Sequence, residues 1–145
     1  MPISRPAARV LCLAADRLLL LLRWRDPVTG SEVWEPPGGG REPAESWEQA
    51  ARRELREEAG LEAAALAGPV MVARDYSWAG RRIVCDDAFF LAHWERPPPV
   101  TLEPAPELLD SAWVADLDAV GPLEPPDLAA VLNRLRSVPP SPPSR

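Results

Sequence analysis

A run of two prolines followed by three glycines, at residues 36–40, constrains the fold of this chain most. Proline fixes φ and lacks a backbone N–H, and glycine has no Cβ, so neither a helix nor a central strand tolerates such a run. The run therefore predicts a turn between two structured parts of the chain. Its glycines would also let backbone groups approach a ligand closely.

The best helix in the sequence begins just after this turn, at Trp47, and ends at Ala59. Ser46 and Gln49 have the spacing of a capping box, and Gly60 supplies a left-handed residue at the carboxyl end. A second amphipathic helix is predicted at residues 127–136. Apolar runs and alternation predict five strands, at residues 8–14, 18–24, 70–73, 83–94 and 112–114.

Length and charge limit what the chain can be. Its 145 residues fit one domain, expected at residues 1–137, followed by a proline-rich tail at 138–145 that we predict to be disordered. The net charge is −6 and every basic residue is Arg, which argues against extended nucleic acid as a partner and excludes a P-loop lysine. No apolar run approaches the length of a membrane span, so a cytoplasmic location is expected. The sequence leaves open whether the chain forms a homodimer.

Three glutamates, Glu54, Glu57 and Glu58, occupy positions i, i+3 and i+4 of the first helix. They share one stripe beside the apolar face, where like charges repel. A cation would relieve this repulsion, and carboxylate oxygens favour Mg²⁺, Mn²⁺ or Ca²⁺ over softer metals. The alternative is a solvated helix face on which neighbouring arginines balance the acids.

The spacing of the whole segment resembles the complete Nudix box, with every specified position filled: Gly39-x5-Glu45-x7-Arg53-Glu54-Leu55-x-Glu57-Glu58-x-Gly60-Leu61. The resemblance implies an α/β fold, an α/β/α sandwich around a mixed β-sheet. It also implies hydrolysis of a small substrate in which a nucleoside diphosphate is linked to another group, with Mg²⁺ or Mn²⁺ as the cofactor.

By the same resemblance, Glu57 and Glu58 are metal ligands, together with the backbone carbonyl of Gly38. Glu54 corresponds to the glutamate that serves as general base or as a further ligand. Arg53 and Glu45 correspond to residues that orient the ligands, and Gly39 to a supporting glycine of the turn.

A further acid outside the box completes the site in several Nudix proteins. Glu107, which lies six residues before Trp113, is our candidate, and Glu103 and Glu95 are the alternatives. A plain loop acid in a proline-rich connection is an equally good interpretation.

Four residues outside the box are candidates for substrate binding. Trp34, Tyr76 and Trp78 lie in or beside predicted loops and could stack on a nucleobase, and Arg23 could bind phosphate. The alternative is that the aromatic rings belong to the core and that the arginine is an ordinary surface residue.

Two other functions stay open at this point. A Nudix-fold module can bind a nucleotide without cleaving it, although such modules usually have a damaged box. A structural helix with fortuitous spacing is the remaining interpretation.

Overall fold

The computed structural model describes residues 1–139, so the predicted tail lies outside the described residues from residue 140 onward. Seven strands and two α-helices follow one another along the chain: β1 (Ala7–Ala14), β2 (Leu18–Arg25), β3 (Glu32–Glu35), β4 (Gly38–Gly40), α1 (Trp47–Ala59), β5 (Ala67–Trp78), β6 (Arg81–Trp94), β7 (Leu108–Val114) and α2 (Leu128–Arg136). A short 3₁₀ turn at Leu117–Ala119 precedes α2. No helix within residues 1–139 is long and apolar enough to cross a membrane.

The strands form one mixed sheet. Its main order is β3-β2-β1-β6-β5; β4 pairs with β1, and β7 pairs with β2. Strands β1 and β6 run parallel, whereas all other named pairs are antiparallel. Because β1 pairs with β2 near Ala14 and with β4 near Ala7, the glycine strand occupies the place beside β1 that β2 has left.

The two helices cover opposite faces of the sheet. Along β1, Val10 and Cys12 pack in the same cluster as the buried residues of α1, whereas Leu11 and Leu13 pack with those of α2. This alternation is the period-2 pattern of a strand buried on both faces. The predicted α/β/α sandwich with a mixed sheet is confirmed.

Helix α1 has the predicted bounds, and both of its ends are capped as the sequence indicates. Ser46 Oγ accepts from the Gln49 N–H at 3.1 Å, and Gln49 Oε1 accepts from the Ser46 N–H at 2.8 Å. At the other end Gly60 has a φ of +68°, and its N–H donates to the Arg56 carbonyl at 3.0 Å. The caps fix where α1 begins relative to the glycine turn.

Several strand predictions differ from the structure. Strand β3, which contains Trp34, was not predicted, and β7 begins at Leu108 rather than at residue 112. The glycines at 38–40 form a short strand, but it pairs only with β1 and so is not a central strand. Strand β5 runs from Ala67 to Trp78 rather than over 70–73 alone. Tyr76 and Trp78, expected in or beside loops, therefore lie within β5, because pairing with the long β6 extends it beyond its apolar segment.

Candidate active site

Arg53 connects the acids of α1 to the segment before it. Its Nε and Nη2 donate to the two carboxylate oxygens of Glu45, at 2.6 and 2.8 Å. Its Nη1 donates to Glu54 at 2.9 Å and to Glu57 at 3.2 Å, and Nη2 also donates to the Gly40 carbonyl at 3.0 Å. One guanidinium thus orients three carboxylates and the end of the glycine strand, which fits the supporting role expected for Arg53 and Glu45.

Glu58 is the buried member of the acid stripe. Only 7% of its surface is exposed, and its Oε1 accepts the backbone N–H of Gly38 at 2.9 Å. This hydrogen bond joins α1 to the turn that was expected to supply a carbonyl ligand. The two predicted metal-binding segments are therefore in direct contact.

Gly39 leaves room for the Glu54 carboxylate. A Cβ built at Gly39 would lie 2.6 Å from the Glu54 carboxyl carbon, closer than real Cβ atoms approach their neighbours. At Gly40 the same atom would meet nothing within 4 Å. A side chain at position 39 would thus have to displace the Glu54 carboxylate, whereas position 40 is sterically free.

The surroundings of Glu58, Glu54 and Glu45 shift the pKa values of these acids in different directions. Burial raises the pKa of Glu58 to about 8, although the Gly38 N–H and the nearby Arg9 oppose that shift. Burial also raises the pKa of Glu54, against the hydrogen bond from Arg53. The hydrogen bonds from Arg53 instead lower the pKa of Glu45 to about 2. Buried carboxylates with raised pKa values mark functional sites more often than ordinary surfaces do.

A cavity of about 700 Å³ opens beside this stripe. Gly38, Gly39 and Glu58 line one part of it, and Tyr76 and Trp78 from β5 line another. The structure therefore brings two of the four predicted substrate-binding residues to the same cavity as the buried acid of the box.

Trp34 and Arg23 are not among the residues that line this cavity. Trp34 packs against the core cluster on the α2 side, and the Arg23 guanidinium lies 5.7 Å from its ring centroid. Arg23 also donates to Glu32 at 3.1 Å. Trp34 and Arg23 therefore lie as the alternative interpretation expected, the ring against the core and the arginine in an ion pair near the surface.

The three candidate acids outside the box have different neighbours in the fold. Glu107 directly precedes β7, and its carbonyl accepts the Arg25 N–H at 2.8 Å. The Glu103 N–H donates to the Glu58 carbonyl at 3.0 Å, which places Glu103 beside the end of the acid stripe. Glu95 follows β6 immediately. None of the three lines the cavity.

The cavity residues that sequence reasoning missed include Arg9, Trp24, Glu35 and Glu124. Arg9 carried a usable signal, because it is the one charged residue in the apolar segment that forms β1. A charge inside a buried strand needs a partner and so deserves a functional hypothesis. Trp24 and Glu124 carried no such signal, since their neighbours in space come from distant parts of the chain.

Ion pairs link Arg9, Glu35 and Glu124 of the cavity to Arg74 and Asp87, which do not line it. Arg74 donates to Asp87 at 2.9 Å and to Glu124 at 3.0 Å, and Arg9 donates to Glu35 at 3.2 Å. Asp87 is fully buried and lies 4.0 Å from Arg9 Nε as well. These five side chains therefore form a chain of alternating charges, three of which line the cavity.

The chain matches proteins of known family over nearly all of its length. The family profile described as NUDIX domain matches residues 3–135. Among solved structures, the E. coli ORF135 protein is 26% identical, with a TM-score of 0.61 and coverage of 94% of this chain and 93% of that one. A C. elegans Ap4A hydrolase is 25% identical, with a TM-score of 0.58 and coverage of 91% and 93%.

The NUDIX domain of Shewanella oneidensis NrtR, solved with ADP ribose, is 19% identical, with a TM-score of 0.70 and coverage of 94% and 90%, and supports the fold alone. No curated protein sequence matches the chain significantly. The match of the family profile and the geometry of the box agree, and this chain belongs to the NUDIX family, the family of pyrophosphohydrolases that its glutamate motif resembles.

Proposed function

We propose that the chain hydrolyses the pyrophosphate linkage of a small nucleoside diphosphate derivative and uses Mg²⁺ or Mn²⁺ to do so. The observation that carries this proposal is the contact between the buried Glu58 and Gly38, beside the acids that Arg53 orients. Similarity to an Ap4A hydrolase supports a small nucleotide compound as substrate. A cytoplasmic location stays a prediction of the sequence, and whether the chain forms a homodimer stays open.

The donor set fits a hard divalent cation. Glu57 and Glu58 would hold it, with the carbonyl of Gly38 and, in one arrangement, Glu54. Within residues 1–139, no group of three or more His, Cys, Asp or Glu side chains is placed to hold an ion. Mg²⁺ commonly takes one or two carboxylates and completes its shell with substrate phosphates and water, so Glu57 and Glu58 would suffice without a third carboxylate.

When bound, such an ion lowers the pKa of water and neutralises charge on phosphoryl oxygens. The residues of the chain then have separate tasks. Glu54 is the candidate general base, because its raised pKa brings its carboxyl nearer to working pH. Arg53 and Glu45 hold Glu54 and Glu57 in position. Glu107 keeps the proposed role of outer acid, with Glu103 as the alternative that lies beside Glu58.

Hydrolysis and metal binding are tested together. Nucleoside triphosphates, ADP-ribose, dinucleoside polyphosphates and nucleotide sugars are screened for phosphate release with Mg²⁺ or Mn²⁺. Glu58→Gln, which keeps the shape of the side chain, serves as the blank and should lose activity by at least about 100-fold with its fold intact. Full activity of Glu58→Gln at saturating Mg²⁺ would refute the ligand assignment, and nucleotide binding without turnover in the native chain would indicate a sensor module.

The outer acid needs its own variants. Glu107→Gln and Glu103→Gln are compared at low and at saturating Mg²⁺. The variant that lowers kcat at saturating metal identifies the acid that takes part in the reaction. If both variants keep native kcat, the acids of the box suffice.

A further inference from the structure

Arg9 belongs to the apolar strand β1 and is largely buried, yet it lines the cavity. Only 7% of the residue is exposed, and it lies among the cavity-lining residues with Glu58 and Tyr76. On its other side it crosses the glycine strand closely: a Cβ at Gly38 would lie 2.9 Å from Arg9 Cγ. The side chain is thus held between the acid stripe and the aromatic part of the cavity.

The hydrogen bonds of Arg9 use only part of its donors. Nη1 donates to Glu35 at 3.2 Å and to the Pro36 carbonyl at 3.5 Å. Within residues 1–139, Nε is buried without a partner. Nη2 makes no hydrogen bond there either, but unlike Nε it is not fully buried, so it is open to the cavity that Arg9 lines. Donors of a largely buried arginine are nearly always paired, so the unused donors of Arg9 need an explanation. A ligand atom in the cavity would supply the acceptor that the protein leaves out.

The charges around Arg9 indicate which kind of acceptor fits. Its positive charge already faces Glu35 at 3.2 Å and Asp87 at 4.0 Å, and Glu58 lines the same cavity. A phosphate group would add negative charge to this set of carboxylates. A carbonyl oxygen or a ring nitrogen would accept the hydrogen bond without that repulsion.

Aromatic side chains line the same part of the cavity as Arg9. Tyr76 and Trp78 line it together with Arg9, and the Tyr76 ring lies 4.7 Å from the Arg74 guanidinium. Aromatic rings beside a directed hydrogen-bond donor are the features that bind a nucleobase by stacking and edge recognition. A phosphate would make no use of these rings.

We propose that Arg9 is a specificity-determining residue whose Nη2 donates to an uncharged acceptor atom on the nucleobase, or equivalent group, of the substrate. This inference rests on the proposed function. It assigns the base-reading role to a residue outside the glutamate motif and makes binding preference, rather than turnover, the property that Arg9 sets.

Equilibrium binding tests the inference without any catalysis. The four nucleoside 5′-monophosphates and ribose 5-phosphate, the base-free compound, are titrated into the chain in EDTA by calorimetry. Arg9→Met removes the donors, and Arg9→Lys keeps a charge for Glu35 and Asp87 but not the planar guanidinium. Arg134→Met, on the exposed side of α2, controls for the loss of an arginine.

The native chain should bind at least one nucleotide more tightly than ribose 5-phosphate. Both Arg9 variants should bind that nucleotide about tenfold or more weakly than the native chain does, as expected for the loss of a hydrogen bond from a charged donor. Their affinities for the other nucleotides should fall by unequal factors. Circular dichroism reports whether each variant folds. If Arg9→Met does not fold, the affinities of Arg9→Lys test the inference.

Three results would overturn the inference. The first is an equal loss of affinity for all compounds, including ribose 5-phosphate, which would mean that Arg9 contacts the phosphate. The second is no loss of affinity in either folded variant, which would mean that Arg9 has a purely structural role. The third is a native chain that binds all four nucleotides and ribose 5-phosphate equally well. Failure of the proposed function is distinguishable, since it would appear as absent hydrolysis in the metal-dependent screen while these binding preferences are retained.

Discussion

The backbone N–H of Gly38 donates to the buried carboxylate of Glu58 at 2.9 Å, although 20 positions separate the two residues. This hydrogen bond joins the glycine strand β4 to the acid stripe of α1. The pKa of Glu58 is nevertheless raised, because this hydrogen bond and the charge of Arg9 do not offset the effect of burial.

Glu58 should make the stability of the metal-free chain depend on pH. Its pKa is raised from 4.5 to about 8 on folding, so the folded chain binds more protons than the unfolded chain between these values. The free energy of unfolding should therefore fall as pH rises from about 4.5 to about 8, by on the order of a few kcal/mol. Urea denaturation in EDTA across this range measures the fall.

Glu58→Gln is the control for this pH dependence. The amide does not titrate, so the decline should be much shallower in the variant. An identical decline in both proteins would show that other groups cause it.

Gly39→Ala should impair activity more than stability. The new Cβ would displace the Glu54 carboxylate, which is the mobile end of a side chain, so the cost to folding is small. Misplacing a catalytic group by about 1 Å lowers turnover by on the order of 100-fold. Steady-state kinetics and thermal melts measure the two effects.

Gly40→Ala is the matched control for the glycine variant. Nothing lies within 4 Å of its Cβ, and its carbonyl remains available to Arg53. We expect near-native kcat. Equal losses in both alanine variants would mean that the strand itself, and not the approach to Glu54, requires glycine.

Arg53→Met should remove the hydrogen bonds that orient Glu45 and the acids of the stripe. The pKa of Glu45, held at about 2 by its hydrogen bonds from Arg53, should rise toward 4.5. Carboxyl carbon shifts in NMR titrations follow this change directly. We expect kcat to fall together with apparent affinity for Mg²⁺, because Glu54 and Glu57 lose their common donor.

Arg52→Met controls for the Arg53 variant. Arg52 donates to the Ala63 carbonyl at 2.7 Å and lies 3.8 Å from Glu48, outside the acid stripe. Its loss should leave the Glu45 titration unchanged. A shift of similar size in both variants would contradict the assignment of the low pKa to Arg53.

Ser46→Ala tests the cap that sets the start of α1. Removing the hydroxyl that accepts from Gln49 should lower the free energy of unfolding by about 1 kcal/mol. Ser46→Thr keeps an acceptor and should remain close to native stability. Chemical denaturation that finds both variants equally stable would show that the cap contributes little.

Local patterns were enough to predict much of this protein. The bounds of α1, its capping box and Gly60 follow from contacts between residues three to five apart, so the sequence carries them directly. The acid stripe is predictable for the same reason, since Glu54, Glu57 and Glu58 share a face of any helix. The glycine turn and this stripe together predicted the family.

Tertiary structure decided what surrounds that stripe. Strand β5 extends to Trp78 because β6 pairs with it, and this pairing brings Tyr76 to the cavity. Arg9 meets Glu35 and Asp87 only after three strands and a turn have assembled. Such contacts join residues 26 to 78 positions apart, and periodicity along a chain reports which face a side chain occupies but not which distant residue will lie opposite it.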